Sequence, residues 1–195
     1  MNFADLYRFS NSLTDPVTPV EDLRKLVIRD HPTVHHVVFW ACDLDPRVSR
    51  GHMVLDLERT SPYEDPHIVA SIRYDRTLDA CWRRYVCCKE LMHVFDKTLE
   101  RASNRERFLK LMDELENSPL PVDRSPMFNS ERTAEWMAML AICPQRLRDK
   151  YFDAFVKSTM SAEQIASALL IPTVLIKTIM SDRYFSSLEI LTGEI

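Results

Sequence analysis

The reading of this chain turns on Tyr85–Asp96, "YVCCKELMHVFD". Cys81, Tyr85, Cys88, Met92, Phe95 and Leu99 alternate at spacings of four and three, which predicts a core-facing stripe on a long helix over about residues 78–100. Lys89, Glu90 and His93 interrupt that apolar run. At roughly 100° per residue, Lys89 lies about 40° from Tyr85 and about 60° from Met92, while Glu90 lies about 60° from His93. The three polar heads can therefore converge beside the core. A solvated rim of snorkelling side chains is the plain structural reading of such a trio.

Before this helix the chain alternates as strands do. "VHHVVFWACDLD" is β-branched and aromatic, "HMVLDLER" places Met53, Leu55 and Leu57 on one face, and "HIVASIRYD" puts Ile68, Ala70, Ile72 and Tyr74 in register. The strands are expected near 34–42, 52–58 and 67–74, with a loop at 61–66. Two short helices precede them. One spans residues 2–13 and carries Phe3, Leu6 and Tyr7; the other opens at "TPVED", with Thr18 as N-cap, Pro19 at the first position and Glu21 completing a capping box. After the motif helix the pattern is helical. "SNRERFLKLMDELEN" has a Ser103 cap, "SPLPVDRSPMFN" (118–129) reads as a linker, and Ser130 caps a helix that stops at Pro144. "PQRLRDKYFDAFVK" and then "SAEQIASALL", "IP", "TVLIKTIM" follow, the last three as helix, turn, helix. The class is α+β, a small sheet on a helical body. The segments are 1–33 (N-terminal helices), 34–143 (sheet and motif helices) and 144–195 (a C-terminal helical subdomain packed on them).

Composition narrows the function. Apolar residues make up 46% and charged residues 28%, as in ordinary globular proteins. With only Gly51 and Gly193, no glycine-rich phosphate loop can be built. A net charge of −4 leaves no global basic footprint for nucleic acid. Five cysteines without regular spacing point to reduced thiols and a cytoplasmic address. "MNFADLYRFSNSL" lacks the features of a signal peptide, and no apolar run approaches membrane-spanning length. His35 and His36, as strand neighbours, are expected on opposite faces and so not on one ion. Asp43 and Asp45 are read as turn formers, and Trp40, Trp82 and Trp136 as core.

"KELMH" matches the zinc-binding H-E-x-x-H pattern except at its first letter. In that pattern two imidazoles one turn apart hold the metal and the glutamate holds the attacking water. Lys89 stands in the first position, and an ammonium has no lone pair to offer.

The surroundings of the motif resemble the ImmA/IrrE family of zincin-like metallopeptidase domains. Ile72, Tyr74 and Asp75 match the strand end that precedes the family's motif, Arg84-Tyr85 match its Arg-Phe pair, and Cys88 its small residue. Downstream, "ERTAEWMAMLAICP" is similar to the family's E-x-E-A-N-x-F-A-x-x-L-L-M-P at Glu131, Ala134, Ala138 and Pro144. Ile165, Ala166 and Pro172 match a helix-turn-helix-like tail. The resemblance covers roughly residues 68–180. It implies Glu90 as a vestigial general base, His93 as the second metal ligand, and Glu131, or alternatively Glu135, in the third-ligand region. It also marks two departures: Lys89 replaces the first ligand, and Thr133 replaces a carboxylate. The expectation is a zincin-like fold that has lost peptidase chemistry, holds no cofactor (zinc only if the site still works) and acts by binding a protein, a transcription regulator being the implied class. Lys89 is then expected to neutralise Glu90 and either Glu131 or Glu135. The other readings are an active metallopeptidase with an unusual ligand set and a DNA-binding regulator. For the last, "TVLIKTIM" is too apolar and its surroundings too near neutral, so direct nucleic-acid binding is not expected.

Overall fold

The computed structural model describes residues 1–45, 48–59, 67–96 and 126–193. The expected helix at 103–117 and the first part of the expected linker lie outside the described residues.

Helix α1 (Phe3–Ser12) opens at a capping box in which Asn2 and Asp5 bond each other's backbone, and it buries Phe3, Leu6, Tyr7 and Ser10. Helix α2 (Val20–Asp30) buries Leu23, Leu26 and Val27. Its N-cap is Pro19, with no side-chain hydrogen bond, and not Thr18 as the sequence suggests. Thr18 is buried instead: its hydroxyl lies 3.4 Å from Ser10 Oγ and its carbonyl accepts from Arg84 at 2.7 Å. Tertiary partners outweigh the local cap.

Strands β1 (Val34–Cys42), β2 (Gly51–Glu58) and β3 (His67–Asp75) form a three-stranded sheet in the order β1-β3-β2, with β1 parallel and β2 antiparallel to β3. One face carries Val37, Ala70 and Ile72 into the core. The register slips between Val34 and His36, so β1 holds one extra residue there. Because side chains alternate with period two, that single residue inverts everything after it. Phe39 faces inward beside Ile72, whereas Trp40, opposite Arg73, turns out and is 54% exposed. Trp40 is therefore not core. His35 and His36 are both exposed, and each ring lies against that of His67, with centroids 5.1 and 6.5 Å apart. The bulge brings them together, where ideal alternation would separate them.

Helix α3 (Ala80–Met92) starts at the Asp79 side-chain cap and ends earlier than the apolar stripe suggests, tightening at His93–Phe95 into a 3-10 turn. It faces α4 (Pro126–Ile142). Helix α4 begins at Pro126, inside the expected linker, so Ser130 is an interior helix residue and not its cap. Cys88 Sγ lies 4.0 Å from Ala138 O, and Ala134, Ala138 and Ala141 are all buried; small residues on a helix let a neighbouring backbone approach closely.

Helices α5 (Gln145–Val156), α6 (Ala162–Leu169), α7 (Thr173–Ile179) and α8 (Arg183–Thr192) complete the described body. Ser161 and Gln164 form a capping box for α6, and α6 meets α7 at 99°. Ile176 and Ile179 of α7 are buried, so this helix is largely committed to packing. Among the described residues no single helix is long and apolar enough to cross a membrane.

The core is continuous across all three sequence segments. Leu6 and Leu23 join Ile72, Leu91 and Ile142, which join Leu147, Ile165, Ile176 and Tyr184. Polar ties reinforce it: Ser10 Oγ donates to Ala141 O at 2.6 Å, Tyr184 Oη donates to Cys143 O at 3.0 Å, and Arg148 donates to Ile179 O at 3.0 Å. The first 33 residues thus belong to the core.

Ser158, just beyond α5, holds a left-handed backbone with φ of 53° and is exposed. Glycine adopts this conformation without strain. Ser158→Gly is expected to stabilise the protein by roughly 0.5–1 kcal/mol, read as a rise in thermal midpoint.

Candidate functional site

The motif helix and α4 bring one polar cluster together beside the core. Glu90 and His93 are buried, Lys89 and Glu131 nearly so, and all four side chains meet. Lys89 Nζ lies 2.9 Å from Glu90 Oε1 and 2.7 Å from Glu131 Oε2. His93 Nε2 lies 3.3 Å from Glu131 Oε1 and 4.0 Å from Glu90 Oε2. The Glu131 contact is an ion pair rather than a hydrogen bond, and Nε2 has no hydrogen-bond partner among the described residues.

Position follows from local structure. Lys89, Glu90 and His93 span one turn at the C-terminal end of α3, where the helix dipole favours cations. Glu131 lies on the turn of α4 preceding the buried Ala134, one of the residues packed against α3. Glu135, the alternative carboxylate, is not in the cluster; it pairs with Arg132 at 2.8 Å on the outside of α4. Thr133 also stands apart. It is half-buried, and two residues along a helix put it roughly 200° round from Glu131. A carboxylate at that position would not face Lys89 and His93.

Sequence reasoning missed two members. Asp96 Oδ2 lies 2.7 Å from His93 Nδ1, and Ser130 Oγ is 3.4 Å from the same nitrogen. The Asp96 contact was open to inference, since residues three apart on a helical turn share a side. Ser130 was obscured by reading it as a cap. Serine, histidine and aspartate together suggest a nucleophilic triad, but the geometry rules that out. A triad needs the hydroxyl on one ring nitrogen and the carboxylate on the other. Here both address Nδ1.

The electrostatics are strongly coupled. Burial works against the charge on Lys89, but Glu90 and Glu131 outweigh it and hold the ammonium above the ordinary lysine range. For His93, burial again opposes the charge; Asp96, Glu131 and Glu90 prevail and raise it to about 10. Burial would lift Glu131, yet His93 and Lys89 pull it well below the usual carboxylate range. At neutral pH the centre therefore holds an ammonium and an imidazolium against Glu90, Glu131 and Asp96.

These residues do not suit a catalytic zinc. Three protein ligands plus an open position are the usual minimum. Lys89 offers no lone pair, which leaves His93 as the one imidazole in the cluster. Among the described residues no three His, Cys, Asp or Glu side chains are disposed to hold a metal ion.

Around the cluster, Gly51 opens β2 under α3. A β-carbon there would meet Val86 Cγ1 at 2.5 Å, Arg73 O at 3.0 Å and Glu90 Cγ at 3.3 Å. Asp75, the strand-end residue, is a structural bracket: its carboxylate accepts from Thr77 and from Leu44 N, and these bonds hold it below the usual range. Burial pushes the thiols of Cys87, Cys88 and Cys143 up to about 12, and all five cysteines are free. None of those three is poised as a thiolate nucleophile.

Comparisons with family models, curated proteins and solved structures return no match.

Two outcomes test the cluster. His93 is charged in the fold at pH values where an unfolded histidine is neutral, so its stabilisation is complete below about pH 6.5. It is lost as pH rises toward about 10. Urea midpoints are expected to fall steadily between pH 7 and 10, and His93→Gln to flatten that slope. Lys89→Met, which removes the ammonium from Glu90 and Glu131 and leaves His93 facing them, should cost up to about 3 kcal/mol at pH 7, read from the same midpoints.

Proposed function

We propose that this chain is an ImmA/IrrE-like, zincin-like protein that has lost peptidase chemistry and acts by binding another protein. The observation that carries the reading is Lys89 Nζ, 2.7 Å from Glu131 and 2.9 Å from Glu90. In a working site of that kind the same two carboxylates would serve the metal and its water. Here a cation of the chain itself engages both. The resemblance in motif order, from Ile72 through Pro144, supports the frame; Lys89 supports the loss.

Binding needs a surface, and β2 offers one. It is an edge strand of the described sheet, and at Gly51 it runs against the motif helix. An extended segment added to that edge would lie beside the cluster, with main-chain hydrogen bonds supplying affinity. The partner class implied by the resemblance is a transcription regulator. On α7 the exposed residues are Thr173, Val174 and Lys177, which supplies a single base for phosphate contact.

Metal analysis of purified protein, with a gel shift on duplex DNA, tests the reading. The expected result is sub-stoichiometric zinc and no salt-dependent duplex binding at sub-micromolar protein. Stoichiometric zinc with peptide cleavage would replace the proposal with an active metallopeptidase, and tight duplex binding with a DNA regulator. Lys89→His supplies the missing imidazole facing Glu131 and His93. It should raise zinc affinity at least tenfold over the parent in a competition titration.

A further inference from the structure

Four of the six histidines, His31, His35, His36 and His67, gather at the end of the sheet where β1 begins. Two of them do backbone work. His31 Nδ1 accepts from Val34 N at 3.0 Å and faces Thr33 N at 3.3 Å. His35 Nδ1 accepts from Ile68 N at 3.2 Å, satisfying an amide at the register slip. A neutral imidazole has one lone pair; an imidazolium has none. Both bonds therefore exist only while the rings are neutral. A proton on either Nδ1 would set donor against donor.

We propose that His31 and His35 form an acid-sensitive latch on the start of β1. A proton on either ring releases its amide, Val34 N from His31 or Ile68 N from His35, and loosens the β1–β3 bulge. Proximity spreads the release over a wider pH range. His67 sits 5.1 Å from the His35 ring and 6.5 Å from the His36 ring, so charging one ring opposes charging the next. Among the described residues the other charged groups at this end are few. Glu58 of β2 stands opposite His67 in register. Asp30 of α2 is held by Arg29 at 2.7 Å, and the Met1 amino group donates to the Asp30 carbonyl. Phe95 packs on the His31 ring with centroids 5.9 Å apart.

The same rings do not make a metal site. The His35 lone pair is given to Ile68, which leaves His36 and His67 without a third donor among the described residues.

Amide hydrogen exchange at pH 7.5 and 5.5, corrected for intrinsic rates, tests the latch. Protection at Ile68 and Val34 should fall about three- to tenfold at pH 5.5, the worth of one hydrogen bond. Amides of α5 should hold. His35→Asn keeps an acceptor that does not titrate, and should abolish the change at Ile68 while leaving that at Val34. Equal protection at both pH values, or an unchanged loss in His35→Asn, would overturn the proposal. Should the variant not fold, nitrogen-15 spectra of the parent decide: both rings must be Nε2–H tautomers at pH 7.5, and an Nδ1–H form at either rules the latch out.

Discussion

The guanidinium of Arg84 is partly buried and its hydrogen bonds among the described residues all go to main-chain carbonyls, and the described body is assembled about that constraint. Its nitrogens donate to Thr18 O at 2.7 Å, Ile142 O at 3.3 Å, and Leu169 O and Leu170 O at 3.1 Å each. These acceptors come from the N-terminal segment, the end of α4 and the end of α6. Two are helix C-termini, where unpaired carbonyls gather partial negative charge. Burial still pulls Arg84 below its ordinary range, and its Nε has no partner among the described residues. A buried cation without a carboxylate is tolerable only if those carbonyls stay in place. Leu170 shows the demand: it takes a left-handed turn with φ of 52°, and its own carbonyl is one that Arg84 uses.

Five residues further along α3, the same helix carries the second buried charge system. Arg84 fixes α3 to chain ends on one side; Lys89 and His93 fix it to α4 on the other. Buried ion pairs contribute little net stability over apolar packing, but losing one partner leaves a bare charge inside the fold. Lys89, Glu90 and Glu131 are interdependent in that sense. The two cations Lys89 and His93 together carry the charge of one divalent metal ion, which makes the carboxylates tolerable without a metal.

Much of this was legible because it obeys local periodicity. The three strands follow alternation, and the α3 stripe follows helical spacing down to Met92. The site was half legible. Lys89, Glu90 and His93 share one turn, so spacing alone joins them. Choosing Glu131 over Glu135 required the rotation of α4 against α3, which a single helix pattern does not fix. What escaped reading was set by long-range contact. Thr18 looks like a cap, yet Ser10, Arg84 and Arg146 draw it inward. Trp40 looks like core until one extra residue at His35 inverts the strand. Arg84 resembles any helical arginine, and nothing near it in sequence announces four carbonyls from three distant segments.

The frame around Lys89 is held by packing that does not depend on the cluster's chemistry. Gly51 lets β2 reach Val86, and Ala138 lets α4 reach Cys88. None of these contacts uses a polar atom of the centre. Lys89 is therefore accommodated without any demand on the strand or the helices, provided its charge is balanced on the spot. The cost falls on chemistry: with an ammonium against both carboxylates, neither is free to hold a metal or a water. The edge strand, the exposed helix faces and the histidine-bound end of β1 are unaffected. A binding function carried by those surfaces would not draw on the polar atoms of the cluster.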